Sequence, residues 1–101
     1  MVYFHPMRDY ELTFIVSAGL GDKDRKTVLD NVVKWIDGGK KGTVEKEEDW
    51  GIKKLAYPIE KHTEGRYFCW QVKIDPSVLA VLKNKMELDE NIIRYLLIRK
   101  D

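Results

Sequence analysis

The stretch Gly51–Ile59, with the sequence GIKKLAYPI, places two adjacent cations directly before an alternating strand pattern that contains a proline. Proline has no N–H to donate, so a strand that is hydrogen-bonded on both sides does not accommodate it easily. We therefore expect an edge strand, which offers Lys53, Lys54 and unpaired backbone groups to a partner. Such a segment is typical of a binding surface rather than of a catalytic centre.

The composition indicates one folded domain. The chain has 101 residues, of which 44% are hydrophobic and 35% charged, and its formal net charge is +1. A chain of this length buries roughly 65% of its unfolded-state surface in one core. Cys69 is the single cysteine, so an intramolecular disulfide is impossible and a reducing compartment is the simplest interpretation.

The sequence shows no pattern that is typical of a secretion signal or of a membrane-spanning segment. Residues 1–6 have neither the basic segment nor the long apolar segment of a secretion signal. No apolar run approaches the roughly 20 residues that cross a bilayer. We expect a soluble, cytoplasmic protein with no membrane partner, made of a flexible N-terminal extension at residues 1–6 and a single domain at residues 7–101.

The first half of the chain predicts a strand, a helix and a second strand. Alternating apolar residues place the first strand at Tyr10–Ser17. A helix with Asp22 as its N-cap follows and ends at Gly38, since glycine tolerates the left-handed C-cap. The second strand is expected from Thr43 to Ile59, with a bulge or bend at Gly51.

The second half predicts a strand, a helix and a last strand. The segment Lys61–Gly65 is expected to be a short hairpin connection to a third strand that contains Phe68–Ile74. Asp75 is expected to cap a second helix with Pro76 at its first position. The fourth strand is expected at Ile92–Arg99, which is rich in branched residues.

This order of elements predicts an α+β protein. A repeated split β-α-β unit closes most naturally as the ferredoxin-like βαββαβ arrangement, a four-stranded antiparallel sheet with both helices on one face. Strands one and three are then central, and strands two and four are edges. Pro58 falls on an edge strand, where it is tolerated.

The sequence offers no pattern of residues that indicates catalysis. The imidazole bases are His5 and His62, and neither has a convincing nucleophile beside it. Cys69 lies inside a strand and is expected to be packed, and one cysteine does not supply a two-cysteine metal loop. We expect no enzyme, no cofactor, no metal site and no small-molecule substrate.

Positive charge is concentrated around one hairpin. Residues 51–74 contain five cations and two anions, whereas residues 22–50 contain seven cations and eight anions. Tyr57, Tyr67 and Phe68 interleave with the cations, as in RNA-binding proteins that combine phosphate contact with base stacking. The pattern also fits a solvated hairpin whose aromatic residues belong to the core.

Three segments resemble the bacterial small ribosomal subunit protein six family. They are Met7–Glu11 (MRDYE), Glu48–Ile59 (EDWGIKKLAYPI) and Asp89–Tyr95 (DENIIRY), and the resemblance extends over nearly the whole chain. It implies the ferredoxin-like fold, which agrees with the order of elements. It also implies a non-catalytic ribosomal protein that binds the central domain of small-subunit ribosomal RNA together with small-subunit protein eighteen.

The resemblance and the local charge suggest which cations face RNA. The positions that match the family are Arg8, Lys53, Lys54 and Arg94, and the charge around the hairpin adds Lys61 and Arg66. Phosphate contacts of this kind are independent of base sequence, so selectivity comes from RNA shape and from the partner protein.

Strand four is apolar on both of its faces, which suggests a protein contact. Ile93, Tyr95 and Leu97 share one phase, and Ile92, Leu96 and Ile98 share the other. Only one phase can face the helices, so the other is expected, with Ile15, Tyr67 or Cys69, to leave an apolar area on the open sheet face. A partner or a second copy is expected to contact this open face or the edge of strand two. A ligand-sensing or oligomerising ferredoxin-like domain is the alternative function, because the fold alone does not choose between them.

Overall fold

A computed structural model describes residues 7–59 and 61–100 of the chain; the extension expected at residues 1–6 lies outside the described residues. The described residues form four strands and two α-helices. The strands are β1 (Arg8–Ser17), β2 (Gly42–Ile59), β3 (His62–Ile74) and β4 (Ile92–Arg99), and the helices are α1 (Asp22–Asp37) and α2 (Leu79–Leu88).

The strands form one antiparallel sheet in the order β2-β3-β1-β4. The predicted α+β ferredoxin-like fold is therefore confirmed, with β1 and β3 in the centre and β2 and β4 at the edges. Pro58 lies in the edge strand β2, as its missing N–H requires.

The core lies between the two helices and one face of the sheet. Leu12, Phe14 and Trp70 are fully buried on that face. The ring centroid of Phe14 lies 5.0 Å from that of Trp70 in an edge-to-face arrangement, a favoured geometry for aromatic pairs. The helices and the turn that precedes α2 contribute the apolar residues Val28, Val32, Ile36, Val78, Leu82 and Met86.

The helix ends agree with the sequence in part. Gly38 adopts φ 48° as the C-cap of α1, as predicted. The predicted N-cap of α1 is wrong, because Gly21 holds that position and Asp22 is the first helical residue. The Asp22 carboxylate instead accepts a 2.8 Å hydrogen bond from the guanidinium of Arg25.

The second helix begins as its sequence predicts. The Asp75 carboxylate accepts a 2.9 Å hydrogen bond from the backbone N–H of Ser77. Pro76 begins a short 3-10 turn, Pro76–Val78, which leads directly into α2. A proline at this position costs no hydrogen bond, because a backbone N–H there would have no partner within the helix.

The connection between β2 and β3 is shorter than predicted. Only residues 60 and 61 separate the strands, and His62 already pairs with Ile59. Lys61 has φ 71°, a left-handed conformation that such tight turns require. The predicted connection Lys61–Gly65 is therefore wrong from His62 onward, and Gly65 pairs with Lys53 inside the sheet.

A register shift in β4 changes which of its residues reach the core. Val16 pairs with Ile92 and Ile15 pairs with Arg94, which leaves Ile93 as an extra residue. Ile92 therefore belongs to the core, whereas Ile93 lies near Gly65. The expectation that Ile92 shares a phase with Leu96 and Ile98 is wrong, because a strict alternation does not survive a bulge.

Candidate nucleic-acid interface

The sheet face opposite the helices, here called the open face, is covered by no element among the described residues. At one end of this face β2 and β3 continue past Ser17, the last residue of β1. This extension is here called the hairpin end. It places basic residues beyond the packed body of the protein.

Five of the six cations predicted to face RNA lie at or near the hairpin end. Arg94 belongs to this group because it pairs with Ile15, close to the end of β1. Arg8 lies at the opposite end of the sheet, where it pairs with Ile74. The structure therefore places Lys53, Lys54, Lys61, Arg66 and Arg94 at one end of the sheet and Arg8 at the other. Lys53 and Arg94 lie on the open face, whereas Arg66, which pairs with the core residue Val16, and Lys54, which follows Lys53, lie on the helix side of the sheet.

Two cations lie against aromatic rings. The Lys53 ammonium is 5.3 Å from the ring centroid of Trp50 and 5.9 Å from that of Tyr67. The Arg94 guanidinium carbon is 5.6 Å from the ring centroid of Tyr57, and Arg94 donates a 2.9 Å hydrogen bond to the Tyr57 hydroxyl. These distances are typical of cation–π contacts. We call these five residues the cation–aromatic cluster.

Trp50 is a member of this cluster that the sequence analysis missed as a binding residue. A bulge at Gly51, which has φ 79°, follows it, and the Asp49 carboxylate accepts a 2.9 Å hydrogen bond from the Gly51 N–H. The indole N–H donates a 3.0 Å hydrogen bond to Glu48, which lowers the pKa of that carboxyl. The sequence does contain a signal that could have identified Trp50: an aromatic residue directly before a glycine, in an edge strand rich in charged residues.

Arg66 already has a partner within the protein. Its guanidinium makes hydrogen bonds of 2.7 to 3.1 Å to both carboxylate oxygens of Asp49. This pairing lowers the pKa of Asp49 and raises that of Arg66. Because its Nε and Nη2 donate to Asp49 and its charge is paired, Arg66 is less available to phosphate than Lys54 and Lys61, whose side chains are exposed.

The aromatic residues of the hairpin region divide between the two faces. Phe68 is only 3% exposed and belongs to the core, so it is not a stacking residue on the surface. Tyr57 is 56% exposed, and Tyr67 is half-buried on the open face beside Ile15. The sequence pattern grouped the three residues because it did not resolve which face each one occupies.

The middle of the open face is polar, and its thiol is buried rather than reactive. The Cys69 thiol donates a 3.4 Å hydrogen bond to Glu11 and accepts one from Thr13. Burial is the main cause of the raised pKa of Cys69, which disfavours the nucleophilic thiolate. Glu11 also accepts a 3.1 Å hydrogen bond from the Lys100 ammonium, and this contact lowers its pKa.

The edge of the open face along β4 is apolar. Leu96 and Ile98 are 57% and 47% exposed, and they pair with Thr13 and Glu11 of β1. We call Leu96 and Ile98 the aliphatic strip. It provides the apolar area that the sequence predicted for the open face, although Ile15 and Cys69 are themselves buried.

Within residues 7–59 and 61–100, no three side chains of His, Cys, Asp or Glu come together as metal ligands. Across the same residues, neither helix has the length and apolar character needed to span a bilayer.

Comparisons with known proteins give a consistent result. Residues 9–99 match the family model described as ribosomal protein S6. The chain is 41% identical over 88 residues to small ribosomal subunit protein bS6 of Geobacter sp. (strain M21), covering 87% of this chain and 65% of that protein. It is 38% identical over 95 residues to small ribosomal subunit protein bS6 of Parabacteroides distasonis, covering 94% of this chain and 80% of that protein.

A solved structure supports the same assignment. The crystal structure of 30S ribosomal protein S6 from Thermotoga maritima matches with a TM-score of 0.85 at 32% sequence identity, covering 93% of this chain and 88% of that chain. The chain belongs to the ribosomal protein S6 family and is, accordingly, a cytoplasmic protein of the small ribosomal subunit and not an enzyme.

Proposed function

We propose that this chain binds the central domain of small-subunit ribosomal RNA, together with small-subunit protein eighteen. The observation that supports the RNA contact best is the cation–aromatic cluster on the open face. It combines positive charge with accessible rings, which are the two chemical features that RNA-binding surfaces use. Lys54 and Lys61 extend the positive charge along the hairpin.

The charge of the whole chain supports the proposal that it binds RNA together with a partner protein. A formal net charge of +1 gives little long-range attraction to a polyanion. A few phosphate contacts at the hairpin end therefore give weak binding in physiological salt. A basic partner protein that binds the same RNA adds further contacts, so the two proteins bind together more tightly than either one alone.

The aliphatic strip is the surface we assign to the partner protein. Leu96 and Ile98 lie on an edge strand, so a partner can cover their side chains and also pair with the backbone along the outer edge of β4. Burial of such side chains is favourable. This assignment predicts that Leu96→Glu weakens co-migration with protein eighteen and leaves RNA contacts at the hairpin end in place.

A charge reversal tests the RNA contact. The double variant Lys53→Glu/Lys54→Glu should weaken binding to a central-domain RNA fragment and flatten its salt dependence, without unfolding the protein. The matched control is Lys83→Glu/Lys85→Glu, which makes the same charge change at exposed positions of α2. Association is measured by filter binding over a range of salt concentrations and by incorporation into reconstituted small subunits.

Two results contradict the proposed RNA contact. One is normal assembly of the Lys53→Glu/Lys54→Glu variant into small subunits. The other is an equal loss of affinity in the control variant, which would mean that only net charge matters and not its position on the hairpin.

A further inference from the structure

Two aromatic residues of the cation–aromatic cluster have no role in the core. Trp50 is 47% exposed and Tyr57 is 56% exposed, and neither belongs to the buried apolar cluster. Exposing a large ring in this way forgoes the stabilisation that its burial provides. Two such rings within one positively charged surface indicate a binding function.

Local contacts hold both rings in place on the open face. The indole of Trp50 is fixed by its hydrogen bond to Glu48, and its backbone by the bulge at Gly51. Tyr57 is fixed at its hydroxyl by Arg94. Binding therefore costs little side-chain entropy, because both rings are already oriented.

Each ring also has a cation over one of its faces. Lys53 lies at 5.3 Å from the ring of Trp50, and Arg94 at 5.6 Å from the ring of Tyr57. A nucleotide offers a flat base and an anionic phosphate a short distance apart. A ring and a cation held together match these two groups.

We propose that Trp50 and Tyr57 are stacking platforms for unpaired RNA bases, while Lys53 and Arg94 contact the phosphates of the same nucleotides. This inference rests on the proposed RNA-binding function and specifies the part of RNA that the open face recognises. Bases in a duplex are stacked on each other and present no free face, so the ligand is a single-stranded segment, a loop or a bulge.

The surface chemistry favours RNA over protein at this location. The cation–aromatic cluster contains two cations, and the Glu48 carboxylate that accepts a hydrogen bond from Trp50 is itself paired with Lys46 at 3.1 Å. Exposed Lys54 and Lys61 lie on the same hairpin. The aliphatic strip is a separate apolar area on the opposite edge strand, β4. The cation–aromatic cluster therefore fits a nucleic acid, whereas the aliphatic strip fits an apolar protein surface.

The test compares two probes that have the same number of phosphates. One is a single-stranded oligoadenylate of about 12 nucleotides, within the range of known single-strand binding sites, and the other is an abasic ribose-phosphate strand of equal length. Fluorescence anisotropy at low ionic strength gives the affinity of the full chain for each probe. We expect the wild-type protein to prefer oligoadenylate, because only that probe has bases to stack.

Substitutions separate the rings from the charges. Trp50→Ala and Tyr57→Ala should each lower the affinity for oligoadenylate by about five- to a hundredfold, with little change for the abasic strand. Trp50→Phe and Tyr57→Phe keep a ring and should retain most of the preference, although each removes a hydrogen bond. Lys53→Gln should instead weaken binding to both probes and reduce the salt dependence.

The proposal is wrong if the wild-type protein does not prefer oligoadenylate, or if the alanine variants keep that preference. It is also wrong if Trp50→Ala and Tyr57→Ala affect only the association with protein eighteen, which would make the surface a protein contact. These outcomes differ from failure of the proposed function, which is the failure of the wild-type chain to bind central-domain RNA or to enter small subunits.

Discussion

At the scale of single residues, the close approach of Ile15 to Gly65 restricts that position to glycine. A Cβ added to Gly65 would lie 2.2 Å from Cγ2 of Ile15, and Ile15 is only 8% exposed. Because Cγ2 is attached close to the backbone, it has little freedom to move away. We expect Gly65→Ala to lower the free energy of unfolding by about 1 to 3 kcal/mol, measured by urea denaturation.

Two controls test the cause of this loss. Gly19→Ala places a Cβ no nearer than 3.9 Å to a neighbouring atom, so its effect should stay within about 0.5 kcal/mol. In the Ile15→Ala/Gly65→Ala double variant the clash is absent, so the two losses should not add. Full additivity would contradict the steric explanation.

The ion pair between Asp49 and Arg66 predicts a dependence of stability on pH. Because the pKa of Asp49 is lowered in the folded protein, its contribution is complete above the unfolded-state value of about 3.9 and is lost as the pH falls through the folded-state value. Both side chains are partly exposed, so we expect about 1 kcal/mol or less. The difference in unfolding free energy between wild type and Asp49→Asn should therefore shrink below about pH 4.

Urea denaturation at several pH values between neutral and acidic measures this difference. Arg66→Gln should remove the same stabilisation. In the Arg66→Gln background, Asp49→Asn should cause no further loss of unfolding free energy. A difference between wild type and Asp49→Asn that does not change as the pH falls would contradict the role of the ion pair.

At the scale of elements, the hairpin end should be the least stable part of the sheet. Up to Ser17, β3 pairs with both β1 and β2, but beyond that point the two strands of the hairpin pair only with each other. Fewer packed neighbours mean a lower free energy of local opening. Amides in residues 54–59 should therefore exchange with deuterium much faster than those of β1, as measured by hydrogen exchange with mass spectrometry. Equal protection of both regions would show that the hairpin end is as stable as the sheet.

At the scale of the whole molecule, a nearly neutral chain that has four exposed cations at or near the hairpin end should bind RNA there through few phosphates. If Lys53, Lys54, Lys61 and Arg94 each contact one phosphate, the logarithm of the binding constant should fall with the logarithm of salt concentration with a slope of about −3 to −4. Arg66→Gln should leave that slope nearly unchanged, because Arg66 is paired with Asp49. A slope near zero, or a clear change in the Arg66 variant, would contradict this distribution of contacts.

Much of the fold was predictable because its signals are local. Alternation located β1, and Asp75 with Pro76 located the start of the second helix. Pro58 identified an edge strand, since its missing N–H is a property of one residue. The errors occurred where pairing with a neighbouring strand sets the local structure. The hairpin turn is shorter than its polar residues suggested, and the bulge at Ile93 places Ile92 in the core.

Four features follow from the sequence alone: the order of elements, the central and edge positions of the strands, the family, and the concentration of cations near one hairpin. These depend on periodicity, backbone chemistry and charge, which are readable along the chain. The fold in three dimensions is needed to show that Lys53 contacts Trp50, that Arg94 of β4 contacts Tyr57 of β2, and that Asp49 pairs with Arg66. These contacts join residues on different strands or across a bulge, and the register that brings them together is fixed by the packing of the whole sheet.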